Sequence, residues 1–449
     1  MADQGAFVAH YRAEFSIRRL WTIFIVSMIL MFGTLIYFGG QIYQDKPPIP
    51  NVVQSASGQT IFTRAQIERG QSLWQSMGGM QQGSIWGHGS YVAPDWSADW
   101  LHREAFALLD LIALSEGGKR YATLDAPDQA RLQTLLRQDM RTNTYDATRD
   151  TLVLSDARTQ AVSSVSRHFV NLFGASTPEA IELRERYAFP VKATFSAEEA
   201  QAVSAFFFWT SWAAAANRPG EEISYTSNWP HEPLVGNTPT GAIFMWTFIS
   251  IFVLLAGIGA LVWYYAKEFD VWRQDSEPVE GFAKRDFMDV AVVTPSMRAT
   301  RWYFMVVAAL FVAQVGLGIV TAHYAVEGQG LYGLPLSEYF PYSVTRTWHT
   351  QLAVLWIAVA WLATGLYVAP LLGGRDPKFQ TAGVWFLFLS LLIIVVGSFA
   401  GEWLAINRVI TDLTQNFWFG HQGYEYLDLG RFWQCFLIVG LLLWLFRSA

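Results

Sequence analysis

The chain has 449 residues, of which 52% are hydrophobic, 16% aromatic and only 15% charged. A formal charge of -6 with no basic run excludes a nucleic-acid binder. The single cysteine, Cys435, excludes an internal disulfide, a cysteine zinc site and a C-x-x-C-H haem attachment.

Six charge-free apolar runs approach the length of about 20 residues that crosses a bilayer: Leu20–Gly40, Gly241–Ala266, Trp302–Ala322, Trp348–Leu372, Thr381–Gly401 and Phe432–Phe446. The 20 Trp and 32 Phe suit interfacial belts and helix packing in lipid. The predicted fold class is therefore a mainly α, polytopic membrane protein with six transmembrane helices. The first run is too long for a signal h-region and no small-residue cleavage site follows, so residues 1–40 read as a tail and a retained anchor.

Lys and Arg set the orientation. Arg12, Arg18 and Arg19 precede the first run, and Lys267, Arg273, Lys284, Arg285, Arg298 and Arg301 fill the loop after the second. The turn after the third has only Arg346, and the loop after the fifth only Arg408 and Arg431. The N-terminus is then cytoplasmic and residues 41–240 form a domain on the outer face. Residues 241–299 give the second span and a cytoplasmic loop, and residues 300–449 the next four helices.

Within the outer domain, Pro47-Pro48-Ile49-Pro50 is a stiff exit from the bilayer. Thr63-Arg-Ala-Gln66 has the pattern of a capping box opening a helix through Trp74, ended by Gly78-Gly79. A Gly-rich loop, Gly83 to Trp96, follows. Ser97 is the expected cap of a helix through Leu114, and further helices are expected at 127–142, 155–173, 178–188 and 196–216, with Ser155, Thr177 and Ser196 at their starts. The domain reads as small and mostly helical.

The informative stretch is Trp302 to Pro370, two antiparallel spans joined by a short polar turn. The first ends in His323-Tyr-Ala-Val-Glu327 and the second opens on Trp348-His349-Thr350, so both histidines fall at one membrane face. His349 could be an interfacial histidine bonding a neighbouring helix, or an axial haem ligand on a rigid helix with apolar walls around the macrocycle. His323 and Glu327, at i and i+4, share a helix face. They could be a solvated helix end, or a site that hydrogen-bonds a quinol and accepts its two protons. Glu425, before the last span, is by default an exposed carboxylate. It could also hold Ca²⁺ together with a carbonyl from the Gly-rich loop and a Tyr oxygen, Gly89 and Tyr91 serving if the outer domain docks on the bundle.

Trp74-Gln-Ser-Met-Gly-Gly-Met-Gln, the run from Gly83-Ser-Ile-Trp-Gly-His-Gly-Ser-Tyr91 to Glu104, and Asn228-Trp-Pro-His-Glu-Pro-Leu-Val-Gly-Asn237 resemble the quinol-dependent, single-chain nitric oxide reductases of the haem-copper oxidase superfamily. The resemblance runs through essentially the whole chain. It implies a cytochrome-c-like outer domain without haem c, electrons taken from membrane quinol with no cytochrome c, and reduction of two NO to nitrous oxide and water. By match, His349 corresponds to an axial ligand of a low-spin haem b, His323 and Glu327 to the quinol pair, and Glu425, Gly89 and Tyr91 to a calcium site. The family's second low-spin ligand, its high-spin haem b ligand and its non-haem iron ligands (three His and a Glu) lie in later spans. The eight histidines here form no such cluster, and the last run is short. The chain thus reads as an N-terminal portion, inactive alone, with a separate C-terminal half as a possible partner. The alternatives are a non-catalytic haem- or quinone-associated membrane protein or remnant, and an oxygen-reducing quinol oxidase.

Overall fold

The computed structural model describes residues 17–192, 194–274, 292–330, 333–373, 375–423 and 429–448. Helix α1, Ile17–Asp45, leaves the membrane into the extramembrane domain. There Thr63 caps α2, Arg64–Ser76, through the full capping box with Gln66. The next helices are α3 (Trp96–Gly117), α4 (Ala126–Arg141), α5 (Asp156–Gly174), α6 (Pro178–Arg186) and α7 (Ala197–Ala215). Ser155, Thr177 and Ser196 cap the last three. One cap differs from the sequence reading: α3 is capped by Asp95, which accepts from Ala98 N, and the Ser97 hydroxyl also donates to Asp95. A carboxylate two residues earlier serves that helix end better because it also meets the helix dipole.

The domain also contains a four-stranded sheet that hydrophobic periodicity did not expose. Its strands are β1 (Val52–Ser55), β2 (Thr60–Thr63), β3 (Tyr145–Asp146) and β4 (Thr151–Leu154), in the order β2-β1-β4-β3. Strand β1 runs parallel to β4, with Val52 opposite Thr151. Such short strands are stable only through pairing with a distant segment, which no local pattern announces.

Aromatic rings fill the centre of the domain. Trp96 stacks on Phe207 with ring centroids 5.4 Å apart, and Trp100 on Phe169 at 5.1 Å. Trp74, Phe173 and Phe189 close the cluster edge-on or tilted. Each such pair is worth about 0.5–1.5 kcal/mol beyond the apolar area it buries. Beside it lies a buried ion pair, Arg158 Nε to Glu104 Oε1 at 2.7 Å, with the second Glu104 oxygen accepting from Trp100 Nε1 at 2.8 Å.

The membrane part comprises α8 (Gly241–Gln274), α9 (Pro295–Val326), α10 (Tyr342–Gly373), α11 (Gln380–Ile406), the short α12 (Leu413–Phe419) and α13 (Arg431–Ser448). Among the described residues five helices, α1 and α8 to α11, are long and apolar enough to cross a membrane, and α13 carries a shorter apolar stretch, Arg431–Leu445. Because lipid offers no partners for the backbone, these segments satisfy it within each helix. Helices α9 and α10, with 32 residues each, extend about 48 Å at 1.5 Å per residue, well beyond a hydrocarbon core of about 30 Å. Their ends therefore project from the bilayer and meet the domain.

The docking is polar. Arg346 of α10 hydrogen-bonds Gln81. Gln329 Nε2 donates to Phe189 O at 2.6 Å, and Arg408 Nη2 to Glu199 Oε1 at 2.5 Å. His421 Nδ1 lies 3.3 Å from Gln75 O, at the end of α2. The domain thus sits on one end of α9, α10 and α11.

Candidate functional site

His349 lies on α10 two turns past its start, deeper than a helix opening at Trp348 implies, because the helix begins at Tyr342. Its Nδ1 is 2.9 Å from the carbonyl oxygen of Gln314 on α9. A carbonyl only accepts, so Nδ1 carries the hydrogen and Nε2 keeps its lone pair. Gln314 also fixes the neighbourhood through its side chain, which accepts from Trp356 Nε1 at 2.8 Å. One helical turn along α9, Gly318 leaves a notch for the imidazole: a Cβ there would stand 2.8 Å from His349 Cε1. Glycine at 318 is what lets α9 approach the ring this closely.

His323 and Glu327 are in contact at the end of α9, Nδ1 to Oε2 at 3.0 Å. The imidazole is largely buried, its side chain 11% exposed, whereas the carboxylate is 63% exposed. One partner thus faces packed protein and the other faces out. His349 touches Gln314 and Gly318, which precede His323 by nine and five residues. The two histidines therefore share an end of the bundle but differ in depth by about 8–13 Å at 1.5 Å per residue.

Gly89 and Tyr91 lie in the Gly-rich loop. Asp95 gathers that loop by accepting from Ser84 Oγ and Gly87 N, each at 2.7 Å. Gly89 has φ +131°, a conformation side chains rarely adopt. Tyr91 is exposed, and its hydroxyl donates to Gly87 O at 2.9 Å, which leaves the phenol oxygen's lone pairs free for a cation. Glu425 lies outside the described residues. Among the described residues no three His, Cys, Asp or Glu side chains converge on a metal-sized space.

Sequence reading missed four residues here: Gln314, Gly318, Gln351 and Glu402. The first two look like ordinary members of an apolar span and acquire meaning only from what α10 places opposite them. The span expected to end at Gly401 continues to Ile406, which draws Glu402 into α11 as a fully buried carboxyl hydrogen-bonded by Gln351 Nε2. An acidic residue one position beyond an apolar run was the available signal.

A bundle of long apolar helices, with a histidine held by second-helix contacts and an extramembrane domain docked on one end, defines a multi-pass membrane protein. Two family models match the chain. Residues 50–231 match the NorB cytochrome c-like domain of nitric oxide reductase, and residues 298–448 match cytochrome c and quinol oxidase polypeptide I. The chain belongs to the NorB-type nitric oxide reductases, within the haem-copper oxidases. No curated protein matches it.

Proposed function

We propose that the chain is the quinol-oxidising, electron-entry portion of a nitric oxide reductase, converting two NO with a quinol to N₂O, water and quinone. The observation that carries this reading is the seat of His349. Its Nδ1–H is tied to Gln314 O and its ring fills the Gly318 notch, so Nε2 is the atom presented to iron. A low-spin haem b held there would supply single-electron transfer.

The chain's own residues do the proton work. The His323–Glu327 pair, at the headgroup level of α9, positions a quinol hydroxyl and takes its protons, with the exposed carboxylate handing them to water. With Cys435 the single cysteine, the docked domain cannot attach haem c covalently, and electrons enter from the membrane rather than from a cytochrome c. Its place is the periplasmic face of a bacterial inner membrane. Gly89, Tyr91 and Glu425 would hold calcium, the Tyr91 phenol oxygen keeping its lone pairs available beside the Gly-rich loop. Among the described residues no three His, Cys, Asp or Glu converge as a non-haem iron centre needs, and the ligands of that centre and of the high-spin haem b would come from residues outside this sequence, on the same or a separate chain.

The test is proteoliposomes containing this chain and the complementing residues, supplied with quinol and either NO or O₂. We expect N₂O from NO, and loss of both haem b absorbance and turnover in His349→Ala. Haem b content unchanged in His349→Ala would sink the assignment of that ligand. Turnover with O₂ alone would make the protein a quinol oxidase.

A further inference from the structure

Residues on the other face of α10 are not used by the haem or by the quinol pair. Gln351 is two residues beyond His349 and so points away from α9, towards α11. Ser343, Thr347 and Gln351, at i, i+4 and i+8, form one polar stripe along that face. All three are buried, at 2%, 0% and 1% exposure. On the antiparallel α11 the facing positions are Ser398, Glu402 and Ile406. The register is fixed at both ends: Gln351 Nε2 donates to Glu402 Oε1, and Ser343 and Ile406 both meet Gly78 of the domain, where a Cβ would lie 3.3 Å and 3.2 Å from them. Trp348 stacked on Phe399, centroids 5.2 Å apart, flanks the stripe on one side.

The polar atoms in this seam are unusually short of partners. Glu402 Oε2, Gln351 Oε1, Thr347 Oγ1 and Trp348 Nε1 are buried without a hydrogen bond. Thr347 is notable because a helical threonine ordinarily bonds back to the preceding turn, as Thr345 and Thr350 do. Arg346, on the same helix as Gln351, bonds Gln81, and Arg408, just past α11, bonds Glu199. Among the described residues Glu402 makes no ion pair. Below it the interface turns apolar, through Ile394, Leu391 and Leu387 of α11 and Val359 and Leu362 of α10. The seam ends at the domain, where Gly78 packs on Ser343 and Ile406, and turns apolar towards the membrane centre.

Buried polar groups left without partners hold ordered water, and an intramembrane carboxyl facing a bundle interior marks a proton or ion path. We propose that Glu402 is a proton-holding site inside the bundle, filled from the domain-facing end through waters lined by Ser343, Thr347 and Gln351. The proton resides on the Glu402 carboxyl, with Gln351 fixing one oxygen so that the other faces the water. Helix α10 thus separates an electron-carrying face, at His349, from a proton-carrying face. This assignment does not depend on the oxidant used, so it can fail or stand independently of nitric oxide reduction.

The test is infrared spectroscopy of the purified full chain in lipid bilayers. We expect a carbonyl band of a protonated carboxylic acid that moves on ¹³C-glutamate labelling and is lost in Glu402→Gln. Transfer to D₂O should shift it, and Thr347→Val, close to threonine in size, should slow that shift several-fold while leaving the haem spectrum unchanged. Thr347→Val keeps the acid in place, so it reads the seam even if Glu402→Gln fails to insert. A spectrum with no protonated carboxyl assignable to Glu402, or a D₂O shift equally fast in Thr347→Val, overturns the proposal.

Discussion

The imidazole of His349 occupies the space that any side chain at Gly318 would take, with its Cε1 2.8 Å from where that Cβ would be. Position 318 is thus a size gauge for the histidine. Gly318→Ala must either displace the ring or part α9 from α10, an overpacking that costs about 1–3 kcal/mol. Either response moves Nε2 off its line. The expected outcome is a several-fold loss of haem b per protein in Gly318→Ala, read from the reduced-minus-oxidised spectrum. Gly316→Ala, whose Cβ would meet nothing within 4 Å, should keep full haem.

The His323–Glu327 contact divides into a buried orienting partner and an exposed proton carrier. A positioned general base typically contributes about 10²–10⁴-fold. Glu327→Gln keeps the shape and removes the base, so quinol-driven haem reduction should slow by about 10²-fold or more. An artificial one-electron donor that bypasses the quinol should reduce the haem at the wild-type rate. If both donors slow alike, the pair acts on folding rather than on proton transfer.

The extramembrane domain has its own point of weakness. Glu104 and Arg158 are 0% and 2% exposed, and removing one member of such a pair leaves a buried charge uncompensated, at about 3–5 kcal/mol. Glu104→Gln should lower the denaturant midpoint of the domain, followed by the fluorescence of its buried tryptophans. Asp139 is more exposed and 3.9 Å from Arg158, so Asp139→Asn should cost at most about 1 kcal/mol.

How much of this was legible in the chain follows from how local each signal is. The capping box at Thr63–Gln66 is written within four residues and was legible, as was the start of a helix at Ser196, whose box with Glu199 the structure adds. Five of the six apolar runs are helices long enough to cross a membrane, while the last, Phe432–Phe446, lies in a shorter apolar helix. Of the five, α10 begins at Tyr342 and α11 continues to Ile406, because these turns rest against the domain instead of ending at the lipid surface. The i, i+4 contact of His323 with Glu327 was also local. The β1–β4 pairing, the Gly318 notch and the Gln351–Glu402 bond join residues far apart, and only packing brings them together. Family resemblance named His349 but not the carbonyl that fixes its tautomer.

His421 gives the docked interface a pH dependence. Burial lowers its imidazole pKa from 6.5 to about 4, against a weaker opposing contribution from the Gln75 carbonyl. Once exposed, the ring would titrate near 6.5, so the opened state binds more protons between those values and docking weakens as pH falls. At about 1.4 kcal/mol per unit, the loss approaches about 3 kcal/mol by pH 4. Limited proteolysis of the domain boundary should be slow and pH-independent above pH 7 and should accelerate steadily below about 6.5. In His421→Asn the acceleration should be smaller.

The contact between Gln75 and His421 spans 346 positions of the chain, and that separation orders the birth of the molecule. The domain is synthesised before α9, so its underside is made before the residues that seat it. The seat is completed only when residues past 400 have been threaded into the bilayer in the right order. A span inserted upside down would carry Arg346, Arg408 or His421 to the wrong compartment and leave Gln81, Glu199 and Gln75 unanswered. Only a bundle of one topology therefore lets all of these contacts form.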